Sequence, residues 1–145
     1  MKRIAVLVLC LVAAHVSVSA SDALSSVVAS YLEIQAQLAA DKVDAIKAPS
    51  AALAAKADAL GKNGAALAKA AKTVEGAKDI GAAREAFAAL SDAVIAAARA
   101  EGFKDLAGVK VAFCPMVKKS WLQKDEQIRN PYFGAAMSSC GEFKK

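Results

Sequence analysis

The chain has 145 residues, enough for one domain with a single modest core. Its net charge of +5 is small and its basic residues are scattered, with no basic stripe interleaved with aromatics, so a nucleic-acid footprint is excluded. A single histidine, His15, and the lack of a CxxC pair or a glycine-rich phosphate loop argue against Cys or Ser triads, dithiol oxidoreductases and nucleotide enzymes; no enzyme is expected.

Residues 1–20 read as an export signal: Lys2 and Arg3 form a short basic region, Ile4 to Val16 an apolar run, and Val18-Ser19-Ala20 a small-residue cleavage site. The apolar run is too short to span a bilayer, so no membrane span is expected. Cys10 raises a lipid-anchored alternative, but Leu9 stands where a small residue is wanted and the apolar run continues past Cys10. Cleavage after Ala20 makes the protein periplasmic or secreted and leaves residues 21–145 as one domain. It removes Lys2 and Arg3, lowering the net charge from +5 by two, and it removes Met1, Cys10 and His15. The mature chain then has no imidazole, and two cysteines remain in an oxidising compartment where a disulfide is the default.

Four segments carry helical periodicity. Over about 22–41, Leu24, Val27, Tyr31, Ile34 and Leu38 line one face, with Ser21 or Asp22 as cap. Ala48-Pro49-Ser50 marks a break, and a second helix runs over about 49–61 through Leu53, Ala57 and Leu60. Gly61-Lys62-Asn63-Gly64 interrupts the pattern, which resumes over 64–75 through Leu67, Ala71 and Val74; one kinked helix and two helices both fit. The strongest seam is Ile80, Ala83, Phe87, Leu90, Val94 and Ala97, over about 79–101, opened by Asp79 and stopped by Gly102. Short connections between Ala-rich helices predict an all-α fold: an antiparallel bundle of three to four helices with a thin core, carrying a C-terminal Cys- and Met-bearing loop or short hairpin.

The tail, 109–143, holds the chemistry. After signal removal every sulfur lies in it: Cys114, Met116, Met137 and Cys140, together with Trp121, the only tryptophan. Gly108 to Phe113 reads as a short extended segment, and an extended chain through Cys114 and Met116 would point both to one side. Met137 and Cys140 share the three-residue spacing of a helix face. Between them Asn130-Pro131-Tyr132-Phe133-Gly134 has the turn chemistry to bring the two ends together.

Cys114-Pro115-Met116, Trp121-Leu122, Asn130-Pro131-Tyr132-Phe133-Gly134, Met137 and Cys140-Gly141 resemble the C-terminal signature of a family of uncharacterised exported domains. That family's domain occurs alone and also appended to periplasmic adaptor subunits of copper and silver efflux pumps. Arg84, Phe87, Leu90 and Ser91 resemble its central helix, so the likeness runs from about Leu24 to Phe143. It implies a helical periplasmic domain with a heavy-metal role and a heavy-metal efflux component as partner. This chain departs from the family's longer members by ending soon after the motif, with no pump adaptor.

Two thiolates and two thioethers with no His form a soft donor set, suited to Cu(I) or Ag(I) more than to Zn. The expected metal ligands are Cys114, Met116, Met137 and Cys140, with Trp121 as an accessory through its ring face. The protein is then a periplasmic binder of copper(I) or silver(I), for sequestration or delivery. The competing reading is a structural or interaction module whose tail is closed by a Cys114–Cys140 disulfide, a loop of about 25 residues worth roughly 3 kcal/mol. In that reading Met116 and Met137 fill core gaps and Trp121 anchors a loop.

Overall fold

The computed structural model describes residues 19–103 and 105–144. The export signal, with Cys10 and His15, lies outside the described residues apart from Ser19 and Ala20.

Four α-helices form: α1 (Ala20–Ala39), α2 (Lys47–Ala57), α3 (Gly64–Glu75) and α4 (Ile80–Ala100). The first and last are capped by side chains that satisfy otherwise free backbone donors. Ser19 Oγ accepts from the N–H of Asp22 at 3.1 Å, and Asp79 Oδ1 accepts from the N–H of Ala82 at 2.8 Å. A 3₁₀ turn at Val43–Ile46 leads directly into α2, and Pro49 sits in the first turn of that helix, where its missing N–H costs no hydrogen bond. Between α2 and α3 the chain passes through a 3₁₀ turn, Asp58–Asn63, in which Gly61 adopts φ 58°, ψ −129°, a conformation that side-chain-bearing residues avoid. The helices pack in chain order, and α4 returns against α1. Their short links make neighbours antiparallel.

The all-α expectation is corrected by the tail. Lys110–Cys114 (β1), Lys119–Gln123 (β2) and Glu142–Phe143 (β3) make a three-stranded antiparallel sheet in the order β2-β1-β3. The protein is therefore mostly helical with a small sheet, and the sheet carries the region expected to be a loop or short hairpin, its first strand overlapping the segment expected to be extended over Gly108–Phe113. Strand β2 escaped the periodicity argument because its burial does not alternate: Trp121, Leu122 and Gln123 are all buried, since helices and the returning tail cover it together. Strand β3 is only two residues long, held by pairing to Ala112 and Phe113, by the Lys144 N–H on Val111 O, and by the Lys144 ammonium 4.1 Å from the centre of the Phe113 ring.

A line of aromatic rings joins bundle and sheet. Tyr31 of α1 stacks on Phe87 of α4 at 5.1 Å, Phe87 meets Tyr132 at 5.9 Å, and Tyr132 takes the Trp121 ring edge-on at 5.9 Å. The two tyrosine hydroxyls also bind the backbone of β2: Tyr31 Oη accepts from the N–H of Leu122, and Tyr132 Oη donates to the carbonyl of Ser120. Tyr31 Oη lies 2.6 Å from Ser91 Oγ, so this buried hydroxyl is satisfied from two sides.

Candidate functional site

Cys114 closes β1, the central strand, and is fully buried. Residues 115–118 then turn the chain into β2, with Lys118 at φ 54°. Met116 thus stands in a hairpin turn and not on an extended strand, so the alternation expected to align it with Cys114 does not operate there. Instead its backbone serves the sulfur. Burial raises the Cys114 thiol, but hydrogen bonding from the Val117 N–H, the Cys140 thiol, the Asn130 side chain and the Met116 N–H outweighs it and holds Cys114 below its ordinary value.

Cys140 arrives from the other end of the tail. Gly134–Met137 forms a 3₁₀ turn, and the Cys140 N–H donates to the carbonyl of Met137 at 3.1 Å. The two sulfurs stand 3.4 Å apart, both as free thiols. The hydrogen bond to Cys114 pushes Cys140 up, and burial and the charge on Cys114 act in the same direction. Of the two thiols, Cys114 is therefore the more readily ionised.

Asn130 is the residue that shapes this meeting. It is fully buried, its Nδ2 donates to the Cys140 carbonyl at 2.6 Å, and its Oδ1 accepts from the N–H of Tyr132 at 2.8 Å. Its backbone pairs with Ser138 O and with the N–H of Gly134. The turn chemistry of Asn130-Pro131 signalled a reversal, and the side chain's reach to both cysteines is what the turn signal alone leaves unsaid.

A second set of bonds fixes the tail to the helices. Arg84 of α4 donates from Nε to Pro131 O at 2.9 Å, and its Nη2 reaches Leu38 O at 3.3 Å and Asp41 Oδ1 at 2.5 Å. Asp41 in turn accepts from the N–H of Ala135 at 2.9 Å. That backbone bond, then Arg84, holds the Asp41 carboxyl below the usual carboxylate range. Gly134, at φ 56°, lies against this pair, where a Cβ would land on the Asp41 carboxylate and the Arg84 guanidinium.

Met116 is 66% exposed and Met137 37%, and with Val117 they are the exposed large apolar side chains of the described residues. Both thioethers are presented to solvent beside the thiols in the chain, not buried as core filler. Trp121 is fully buried, its indole N–H donating to Gln123 Oε1 at 2.9 Å. The outer edge of its six-membered ring lies 2.8 Å from where a Cβ of Gly141 would stand, so its place is beneath the residue that follows Cys140. It anchors the tail.

Gln123 is a hub that sequence reasoning missed. Its Oε1 accepts from Trp121 and from the Arg129 N–H, and its Nε2 donates to Asp125 O and Gln127 O. In the sequence it follows Trp121-Leu122 and opens the polar run Lys124-Asp125-Glu126, so nothing in its neighbours signals a buried hub. Among the described residues no three of His, Cys, Asp and Glu stand together, so an ion held here would take two sulfurs and complete its shell with thioether or outside donors. Two metal–thiolate bonds of about 2.3 Å span at most about 4.6 Å, so one ion can bridge sulfurs 3.4 Å apart.

Residues 27–105 match a family described as a protein of unknown function (DUF3347), a match that covers the helical part and stops short of the sheet. No curated protein and no solved structure matches the chain. Among the described residues no helix is long and apolar enough to cross a membrane.

Proposed function

The chain belongs to the family of unknown function DUF3347, and we propose that this member is a periplasmic binder of Cu(I) or Ag(I), for sequestration or delivery in metal homeostasis. The observation that carries the reading is the meeting of Cys114 and Cys140 at 3.4 Å, from positions 26 residues apart, with the only exposed methionines of the described residues next to them in the chain. Thiolate and thioether are soft donors that select monovalent copper or silver, and thiolate is the form that ligates. Hydrogen bonds to the Cys114 sulfur already stabilise that form. Met116 and Met137, outside the core, are placed to take an ion from solvent or from a partner. The likeness of the tail to domains appended to copper and silver efflux adaptors supports the same chemistry, with an efflux component as the partner.

Titration of reduced protein with Cu(I) against a competing chelator tests this. Stoichiometric Cu(I) or Ag(I) is expected to raise the melting temperature of reduced wild type by mass action. Cys114→Ser and Cys140→Ser should each abolish the gain, and the double Met116→Leu, Met137→Leu variant should weaken it. A reduced wild type whose melting temperature is unmoved by either ion overturns the reading.

A further inference from the structure

The two thiols differ in a way that metal binding does not require. Cys114 is fully buried on a strand paired to Lys119, at the head of the turn 115–118. Cys140 is only partly buried and follows five exposed residues, 135–139. A reagent from solvent therefore meets the sulfur of Cys140 first. The buried Cys114 sulfur stands 3.4 Å from it and is less accessible to the reagent.

We propose that Cys140 is a modification site for low-molecular-weight disulfides such as glutathione disulfide, and that Cys114 resolves the adduct into a Cys114–Cys140 disulfide. In the first step Cys140 gives up its proton, its sulfur bonds to one sulfur of the reagent, and the reagent's S–S bond breaks; the released thiolate takes up a proton and leaves as one thiol. In the second step the Cys114 sulfur attacks the Cys140 sulfur, the mixed disulfide breaks, and the second thiol leaves with the proton from Cys114. Two electrons and two protons pass from the protein to the reagent, which supplies the oxidant. Closing 3.4 Å to a bond of about 2.05 Å needs a shift of roughly 1.4 Å. The exposed stretch 135–139 that leads into Cys140 can make that shift, while Cys114 stays with its sheet. The closed form has no thiolate to offer a soft metal, so reagent and metal compete for the same pair. The modification itself needs no metal.

The test is metal-free, so its result and that of the Cu(I) titration can fail separately. Reduced full chain is mixed with limiting glutathione disulfide, quenched with acid at successive times and mapped by peptide mass spectrometry. The earliest adduct should sit on Cys140, and it should give way to the intramolecular disulfide. Cys114→Ser should trap a stable glutathione adduct on Cys140, while Cys140→Ser should react at Cys114 about tenfold more slowly or less. An early adduct on Cys114, a mixed disulfide that persists in wild type, or equal rates in the two variants overturns the proposal. If Cys114→Ser does not fold, the order of adducts in wild type decides.

Discussion

Asn130 donates from Nδ2 to the carbonyl of Cys140 at 2.6 Å, so the residue that reverses the tail also holds its more exposed sulfur in place. Its other end accepts from Tyr132. Asn130→Ala leaves a part-buried carbonyl and a buried N–H without these partners, at a cost of about 2 to 4 kcal/mol. The urea midpoint should fall accordingly, and closure of the Cys114–Cys140 disulfide should slow, because Cys140 no longer has a fixed position. A variant with an unchanged midpoint would show that Asn130 does not hold the turn.

The Asp41–Arg84 contact predicts a pH dependence. Asp41 is held below its ordinary value of 3.8, first by the Ala135 N–H and then by Arg84. A carboxylate depressed on folding adds stability above its unfolded value, and that stability is lost as pH falls through the depressed value. Wild type should therefore lose more melting temperature than Asp41→Asn as the pH is lowered from neutrality to below 3.8. Parallel melting curves for the two proteins across that range would contradict the assignment.

Two glycines with similar backbones should respond differently to a methyl group. Gly102, at φ 62°, has nothing near its missing Cβ, so Gly102→Ala should cost only the left-handed strain of about 1 kcal/mol. Gly134, at φ 56°, faces the Asp41–Arg84 pair, so Gly134→Ala adds a clash and breaks the ion pair. We expect it to cost at least twice as much, with far-ultraviolet helix signal retained and the tail more readily cleaved by protease. Equal costs would mean that the tail can shift to make room.

Gln123→Leu keeps the volume and removes four hydrogen bonds. The Trp121 indole N–H and the Arg129 amide lose their acceptor. Both should be protected from hydrogen exchange in wild type and exchange faster by orders of magnitude in the variant, with a loss of about 3 kcal/mol. Unchanged protection at Arg129 would assign its order to something other than Gln123.

Helices were legible where apolar residues recur at helical spacing. In α1 the residues expected on one face, Leu24, Val27, Tyr31, Ile34 and Leu38, are all buried. Of the sheet only the first strand was legible, as the extended segment over Gly108–Phe113; β2 was not, for a physical reason visible in Trp121, Leu122 and Gln123, whose consecutive burial shows no alternation. The sulfurs could be found because they crowd one stretch, but their arrangement could not. Met116 lies in a tight turn that spacing alone does not reveal, and the contribution of Asn130 depends on bonds to residues ten and more positions away. Arg84 was visible only as part of a family likeness, and its link between α1, α4 and the tail needs three dimensions.

The hydroxyls of Tyr31 and Tyr132 have a consequence for assembly. They occupy the N–H of Leu122 and the carbonyl of Ser120, which are groups that a neighbouring chain would need to extend the sheet beyond β2. A small sheet with one open flank is a template for runaway strand addition, and proteins blunt such flanks by covering them. Here two buried aromatic side chains do so from inside the fold. Recruitment of a further strand is thereby steered to the opposite side, where β3 is two residues long and offers little to pair with.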